Sequence, residues 1–101
     1  MQSSLKPLVS IIISLYNCEK FISETLLSVF NQTYQNFEVL IINDCSTDNS
    51  LEIVRSFNDS RIRLFNNEKN CGAAFSRNVG FRNALGEYIA ILDSDDIWEA
   101  T

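Results

Sequence analysis

Four short apolar runs, separated by segments with helical spacing, constrain the fold of this 101-residue chain most strongly. The first run, Val9–Leu15, is rich in β-branched residues and has no charged residue, which is typical of a strand covered on both sides. Similar buried strands are predicted at Phe37–Asn43 and Glu87–Leu92, while the alternating Ile62–Phe65 is predicted to lie nearer an edge. Because strands alternate with helices, the chain is predicted to be a single α/β domain with a mainly parallel sheet.

Three helices are predicted between these strands. Apolar residues recur at helical spacing from Phe21 to Phe30, and Asn17 is the candidate cap of that helix. A short helix follows the capping residues Ser46–Asn49. The third helix, Gly72 to Leu85, has a face of small residues that includes Gly80, which suits close packing on a sheet.

Right-handed crossovers with strand order 3-2-1-4 give a Rossmann-like three-layer sandwich, a sheet of about four strands with helices on its faces. Ligands bind such sheets outside the carboxyl ends of the strands. Tyr16 follows the first strand, Asp44 the second and Asp93 the fourth. These side chains are therefore expected to share one rim of the sheet.

The sequence Asp93-Ser94-Asp95-Asp96 follows the fourth strand directly. Clustered carboxylates repel one another unless a hard divalent cation lies among them, and Mg²⁺ prefers oxygen ligands that leave room for phosphates. The pattern predicts a metal site that bridges a nucleotide diphosphate. A solvated helix start, with Asp95 as the cap, is the alternative.

Charge and cysteine content exclude several classes of function. The net charge is −5, and the acidic C-terminal fifteen residues contain no base, which argues against a nucleic-acid partner. Cys18, Cys45 and Cys71 form no paired spacing, so neither a disulfide framework nor a thiolate metal site is expected. The first apolar run is too short to span a membrane. A cytoplasmic location, peripheral at the inner face of the membrane, is the expectation.

Four segments in series resemble the signatures of glycosyltransferase family 2. They are Val9-Ser10-Ile11-Ile12-Ile13-Ser14-Leu15-Tyr16-Asn17, Asn43-Asp44-Cys45-Ser46-Thr47-Asp48, Asn70-Cys71-Gly72 with Ser76-Arg77-Asn78-Val79-Gly80, and Gly86-Glu87-Tyr88-Ile89-Ala90-Ile91-Leu92-Asp93-Ser94-Asp95-Asp96. The resemblance implies a GT-A fold and the transfer of a sugar from a nucleotide diphosphate donor, with UDP favoured. It also implies inversion at the sugar, Mn²⁺ or Mg²⁺ as cofactor, and a role in polysaccharide biosynthesis.

The resemblance assigns roles residue by residue. Tyr16 would line the base pocket, and Asp44 would hydrogen-bond the pyrimidine edge. Asp93, with Ser94, would lie near the ribose, and Asp95 would be the principal metal ligand of the Asp-x-Asp motif, supported by Asp93.

On the third helix the resemblance implies that Gly72 and Arg77 contribute to nucleotide binding, with Arg77 facing the diphosphate. The chain departs from the family at three positions: Ser14 replaces a common proline, Asn43 a common acid, and Cys45 a common glycine. The last departure bears on loop geometry, because glycine adopts positive φ at little cost.

Residues 1–101 are interpreted as the nucleotide-sugar-binding half of a longer GT-A domain whose acceptor half, with its carbohydrate or lipid-linked acceptor, is absent. No catalytic base is assigned, since the family places it downstream. An uncovered edge at the fourth strand would favour association with a second copy. The alternatives are a non-catalytic nucleotide-binding or dimerising module and a dinucleotide binder, the latter disfavoured because no Gly-x-Gly-x-x-Gly follows the first strand.

Overall fold

The computed structural model describes residues 6–94 as four strands that alternate with three helices. The strands are β1 (Val9–Leu15), β2 (Phe37–Asn43), β3 (Ile62–Asn66) and β4 (Tyr88–Asp93), and the helices are α1 (Ile22–Phe30), α2 (Ser50–Ser56) and α3 (Ala73–Asn83). The predicted alternation is confirmed. Asp95 and Asp96 lie outside the described residues, so the prediction that Asp95 caps a helix does too.

The strands form one parallel sheet in the order β3-β2-β1-β4, as predicted. The register sets Ser14 of β1 beside Ile42 of β2 and Asp93 of β4. Leu15 is level with Asn43. The carboxyl ends of β1, β2 and β4 therefore meet at one level.

Successive side chains of a strand point to opposite faces, so the apolar residues of the sheet form two separate clusters, one on each face. The cluster on one face is larger than the other. Helices α1 and α2 cover one face with the larger core, which includes Ile11, Ile13, Leu15, Ile22, Leu26, Val29, Val39, Ile41 and Val54. Helix α3 covers the other face, over Ile12, Leu40 and Ile42. A Cβ at Gly80 would lie 2.6 Å from Ile12 Cγ2, so only glycine allows α3 to approach this closely.

A buried carboxylate ties the α3–β4 connection to the amino-terminal side of the sheet. Glu38 Oε2 accepts hydrogen bonds from Ser10 Oγ at 2.6 Å and from Leu85 N at 2.7 Å, and Arg63 Nη1 lies 2.9 Å from Glu38 Oε1. Burial tends to raise the pKa of Glu38, but the bonds from Ser10, Leu85 and Arg63 outweigh it and lower that pKa. The ionised form of Glu38 is therefore part of the folded structure.

The prediction that the fourth strand is buried is wrong for most of β4. Its side chains at Tyr88, Ile89 and Ile91 are 46–62% exposed, while Leu92 is buried. The reason is topological: β4 is an edge strand, and no element among residues 6–94 pairs with its outer side.

Two helix starts also differ from the sequence prediction. Asn17 does not cap α1, which begins after Phe21 without a side-chain cap. Helix α3 spans Ala73–Asn83 and is shorter at both ends than predicted. Across residues 6–94, no helix combines the length and apolar character needed to cross a bilayer.

Candidate active site at the carboxyl ends of the strands

Tyr16 and Asp44 flank the carboxyl end of β1. Tyr16 directly follows the strand and is about half exposed, at 48%. Asp44 follows β2, and its N–H donates to Leu15 O at 2.9 Å, which extends the β1–β2 ladder past the strand ends. The structure thus brings an exposed ring and a carboxylate to the same part of the rim, as the sequence predicted.

Asn17 joins the loop after β1 to the loop after β2. Its backbone has φ of +50°, a left-handed conformation in which asparagine is enriched. In this position the side-chain Oδ1 accepts from Thr47 N at 2.8 Å and from Asp48 N at 3.3 Å. Its own N–H donates to Ser46 Oγ. Asn17 therefore fixes the turn that presents Tyr16.

Asp44 clamps the segment between β3 and α3. Its Oδ1 accepts from Cys71 N at 2.8 Å and from Asn67 Nδ2 at 2.9 Å, and its Oδ2 accepts from Gly72 N at 2.8 Å. The residue is only 4% exposed. Burial tends to raise its pKa, but the hydrogen bonds from Cys71, Asn67 and Gly72 outweigh it and lower the pKa of Asp44 below 3.8. Asp44 is thus an ionised structural anchor, a role that sequence analysis missed.

The departure from the family pattern at Cys45 has a visible geometric consequence. Cys45 has φ of +61°, the region that glycine occupies without strain. Its Sγ donates to Asn67 O at 3.3 Å, so the thiol adds one weak contact to the same segment. Cys45 therefore adopts the positive φ that glycine favours, although it carries a side chain.

Gly72 and Arg77 lie at the start of α3. Gly72 precedes the first helical residue with φ of +91°, and nothing surrounds the position of its missing Cβ, so its conformation rather than its size requires glycine. Arg77 is half-buried. The ion pairs present within residues 6–94 use Arg61 and Arg63, so Arg77 stays available as a cation.

Asp93 and Ser94 complete the described rim at the end of β4. Asp93 is exposed and lies beside Ser14 in the register. Ser94 is buried and bound from two sides: its carbonyl accepts from Thr25 Oγ1 at 2.9 Å, and its Oγ lies 2.7 Å from Cys18 Sγ. Ser94, the residue that follows β4, is therefore held by α1 and by the loop before it.

The donor set is suited to a hard divalent cation. Asp93 contributes an exposed carboxylate, and the sequence places the carboxylate of Asp95 two positions later. Oxygen ligands of this kind match Mg²⁺ and Mn²⁺. Within residues 6–94 no three His, Cys, Asp or Glu side chains are grouped to hold a metal, so the described part supplies only Asp93 to the motif.

Comparison with known proteins identifies the family to which this sequence is similar. The sequence pattern described as glycosyl transferase family 2 matches residues 10–101. A UDP-Glc:alpha-D-GlcNAc-diphosphoundecaprenol beta-1,3-glucosyltransferase, WfgD of Escherichia coli, is 52% identical over 93 residues, which are 92% of this chain and 37% of the relative. A putative teichuronic acid biosynthesis glycosyltransferase, TuaG of Bacillus subtilis (strain 168), is 43% identical over 93% of this chain and 38% of its own length.

Two solved structures share the architecture. TarS 1-349 of S. aureus, in complex with UDP-GlcNAc, aligns with a TM-score of 0.86 at 38% identity over 90% of this chain and 27% of TarS 1-349. The mannosyltransferase PcManGT of Pyrobaculum calidifontis, in complex with GDP-Man and Mn²⁺, aligns with a TM-score of 0.87 at 31% identity over 94% of this chain and 29% of PcManGT. The sheet of this chain is that of the GT-A fold.

The chain spans under two fifths of the length of these curated relatives. The match nevertheless covers the three helices, every rim residue and all of the four strands except Val9 at the start of β1. The chain therefore belongs to glycosyltransferase family 2.

Proposed function

We propose that this chain is the donor-binding half of an inverting glycosyltransferase that uses a UDP-sugar and a divalent metal. The observation that carries the proposal is the convergence of Tyr16, Asp44 and Asp93 on one rim of a sheet that superposes on a protein bound to UDP-GlcNAc. An aromatic face, a buried acceptor and a metal-binding acid are what a nucleotide diphosphate requires.

The base is proposed to lie against Tyr16 and above Asp44. A carboxylate has about four acceptor sites, and three of those on Asp44 are filled by Cys71, Asn67 and Gly72. One acceptor site is left, which matches a single N–H such as that of a pyrimidine. Asp44 thus serves the base and the loop together in this proposal.

The diphosphate is proposed to lie between Arg77 and the acids Asp93 and Asp95. A metal held there stabilises the negative charge that develops on the departing diphosphate. Asp93 and Asp95 would hold the Mn²⁺ or Mg²⁺. Arg77 would supply a positive charge that is kept at any physiological pH, because a guanidinium stays protonated. The complex of PcManGT with Mn²⁺ supports the choice of metal.

The acceptor is proposed to be a hydroxyl of a lipid-linked or soluble glycan in polysaccharide biosynthesis, in line with the names of WfgD and TuaG. The general base that removes the acceptor proton is not assigned to any residue of this chain. We propose that base and acceptor site belong to a further part of the domain, and that 1–101 alone does not turn over. A position at the inner face of the membrane follows from a lipid-linked acceptor.

Titration calorimetry with UDP, with and without Mn²⁺, tests the proposal. UDP should bind only weakly without metal and about tenfold more tightly with it, while NAD should not bind in either condition. Asp93→Asn should abolish most of the metal-dependent gain. The matched control is Glu87→Gln, an exposed acid just before the other end of β4, which should bind as the wild type does.

Binding of UDP that ignores both the metal and the Asp93→Asn change would contradict the proposal. A product assay with a UDP-sugar then separates the two parts of it. Sugar transfer at an ordinary enzymatic rate by residues 1–101 would show that no further part of the domain is needed.

The exposed side of β4 supports a second candidate, association of two copies through this edge. Ile89 and Ile91 are about half exposed on a strand whose outer side is unpaired among residues 6–94. Unpaired apolar edges attract further strands. Sedimentation should show a dimer that Ile91→Lys converts to a monomer, and a monomeric wild type would exclude this candidate.

A further inference from the structure

We infer that Thr25, a fully buried residue of α1, is a positioning residue for the metal-binding turn between Asp93 and Asp95. The inference rests on the proposed function, because it concerns the same Asp-x-Asp motif. Thr25 Oγ1 donates to Ser94 O at 2.9 Å across 69 residues of sequence. Thr25 is 0% exposed and cannot touch a nucleotide or a metal itself.

The bonded carbonyl is the one that determines the course of the chain toward Asp95. The Ser94 carbonyl belongs to the planar peptide unit that joins Ser94 to Asp95. A hydrogen bond to that oxygen fixes the rotation of the peptide plane, and with it the direction in which the chain leaves Ser94. In this inference, the bond from Thr25 orients the peptide that links the two acids of the motif.

A second contact holds the same residue from the side-chain direction. Cys18 Sγ lies 2.7 Å from Ser94 Oγ and also donates to Tyr16 O at 3.3 Å. The Cys18 N–H in turn donates to Ser50 Oγ at 2.7 Å. Cys18 thus links Ser94 to the backbone of Tyr16 and to Ser50, the first residue of α2.

The backbone contact is the stronger of the two. A hydroxyl donating to a carbonyl at 2.9 Å is an ordinary hydrogen bond, whereas thiols are weak donors. Both Thr25 and Ser94 are buried, so water cannot replace the lost partner. Thr25 is therefore the residue to perturb.

Metal sites lose affinity when groups that orient the ligands are removed, even though these groups never touch the metal. One buried hydrogen bond corresponds to a factor of about 3–10 in an equilibrium constant. Thr25→Val keeps the shape of the side chain and removes the hydroxyl, so it should weaken Mn²⁺ binding in the presence of UDP about fivefold. Thr25→Ser keeps the hydroxyl and should bind within about twofold of the wild type.

The readout is Mn²⁺ binding by the whole chain, measured by the electron paramagnetic resonance of free Mn²⁺ rather than by turnover. Val54→Ala is the control for lost stability, because Val54 is equally buried in α2 and makes no hydrogen bond to Ser94. It should lower the unfolding midpoint but bind Mn²⁺ normally at a temperature at which the chain is folded. Amide exchange should rise at residues 93–94 in Thr25→Val and not in Val54→Ala.

The outcomes separate this inference from the function on which it rests. If the wild type binds no Mn²⁺ with UDP, the proposed function fails, and this inference fails with it. If the wild type binds and Thr25→Val binds equally well, only the role of Thr25 is refuted. An equal loss in Thr25→Val and Val54→Ala also refutes it, because the effect would then follow stability alone.

Discussion

Replacing Asp44 by asparagine tests how much the buried clamp contributes to the fold. In the wild type, Oδ1 accepts from Asn67 Nδ2 and Cys71 N, while Oδ2 accepts from Gly72 N. An asparagine in the same orientation presents an NH₂ group to Gly72 N–H, so one hydrogen bond is lost and two donors face each other. If the amide flips, Cys71 and Asn67 lose their acceptor instead.

The structure sets the size of the effect. A lost hydrogen bond costs about 1 kcal/mol, and a buried donor left without an acceptor costs about 1–3 kcal/mol more. Asp44→Asn should therefore lower the free energy of unfolding by about 2–3 kcal/mol. For a chain of this length, that lowers the midpoint of thermal unfolding by about 10 °C or more.

Urea unfolding at neutral pH, followed by circular dichroism, measures the change. Asp59→Asn is the matched control, since it also removes one carboxylate but from a partly exposed pair with Arg61. Partly exposed pairs contribute at most about 1 kcal/mol. The control should therefore change stability much less than Asp44→Asn does.

The pH dependence gives the same prediction a second check. The pKa of Asp44 is lowered in the folded chain, so its contribution is complete above the ordinary value of 3.8 and is lost as the pH falls through the lower folded value. The stability gap between wild type and Asp44→Asn should begin to narrow only below about pH 4 and close as the pH falls through the lower folded pKa of Asp44. A gap under about 0.5 kcal/mol at neutral pH, against the 2–3 kcal/mol expected from the lost contacts, would refute the reasoning.

Three further substitutions test other parts of the fold by thermal unfolding. Glu38→Gln leaves either Arg63 or the Ser10 and Leu85 donors facing an NH₂ group, so it should cost about 2–3 kcal/mol; an unchanged midpoint would show that this network is replaceable. Gly80→Ala places a Cβ 2.6 Å from Ile12 Cγ2 and should destabilise by about 1–3 kcal/mol despite the better helix propensity of alanine, whereas a gain would mean that α3 can shift outward. Cys45→Gly should be about 1 kcal/mol more stable than Cys45→Ala, because only glycine adopts the φ of +61° without strain, and equal midpoints would contradict this.

The sheet order could be predicted from the sequence because β1 and β2 are apolar on both faces. Such strands must lie inside a parallel sheet with helices on either side, and right-handed crossovers then leave few topologies. The pattern of β4 is equally apolar, yet its side chains at Ile89 and Ile91 are exposed. An apolar pattern indicates that a strand is suited to burial. It does not show which other element of the protein packs against that strand.

The contacts that shape the rim could not be predicted, because each one joins residues far apart in the chain. Asparagine is a common residue at the N-cap of a helix. The observed partners of Asn17, however, are Thr47 and Asp48, about thirty positions away in the chain. The sequence predicts a contact between Asp44 and the nucleotide base, but it gives no sign that Asp44 also binds the segment before α3. Local spacing gives the type of side chain at a strand end, whereas its partner depends on how the loops pack.

These long-range contacts imply that the rim is preorganised for a ligand. Asn17 fixes the first loop to the second, Asp44 fixes the second to the start of α3, and Thr25 fixes the turn after β4 to α1. Each of the three bonds uses a backbone group on one side, so it sets the path of the chain and not merely the position of one side chain. Among residues 6–94, every buried side-chain nitrogen or oxygen has a hydrogen-bond partner. Tyr16 and Asp93, which are exposed, and Arg77, which has no ion-pair partner within residues 6–94, are therefore carried by a backbone that is already fixed. If these residues bind a nucleotide as proposed, the ordering cost of binding falls mainly on the ligand.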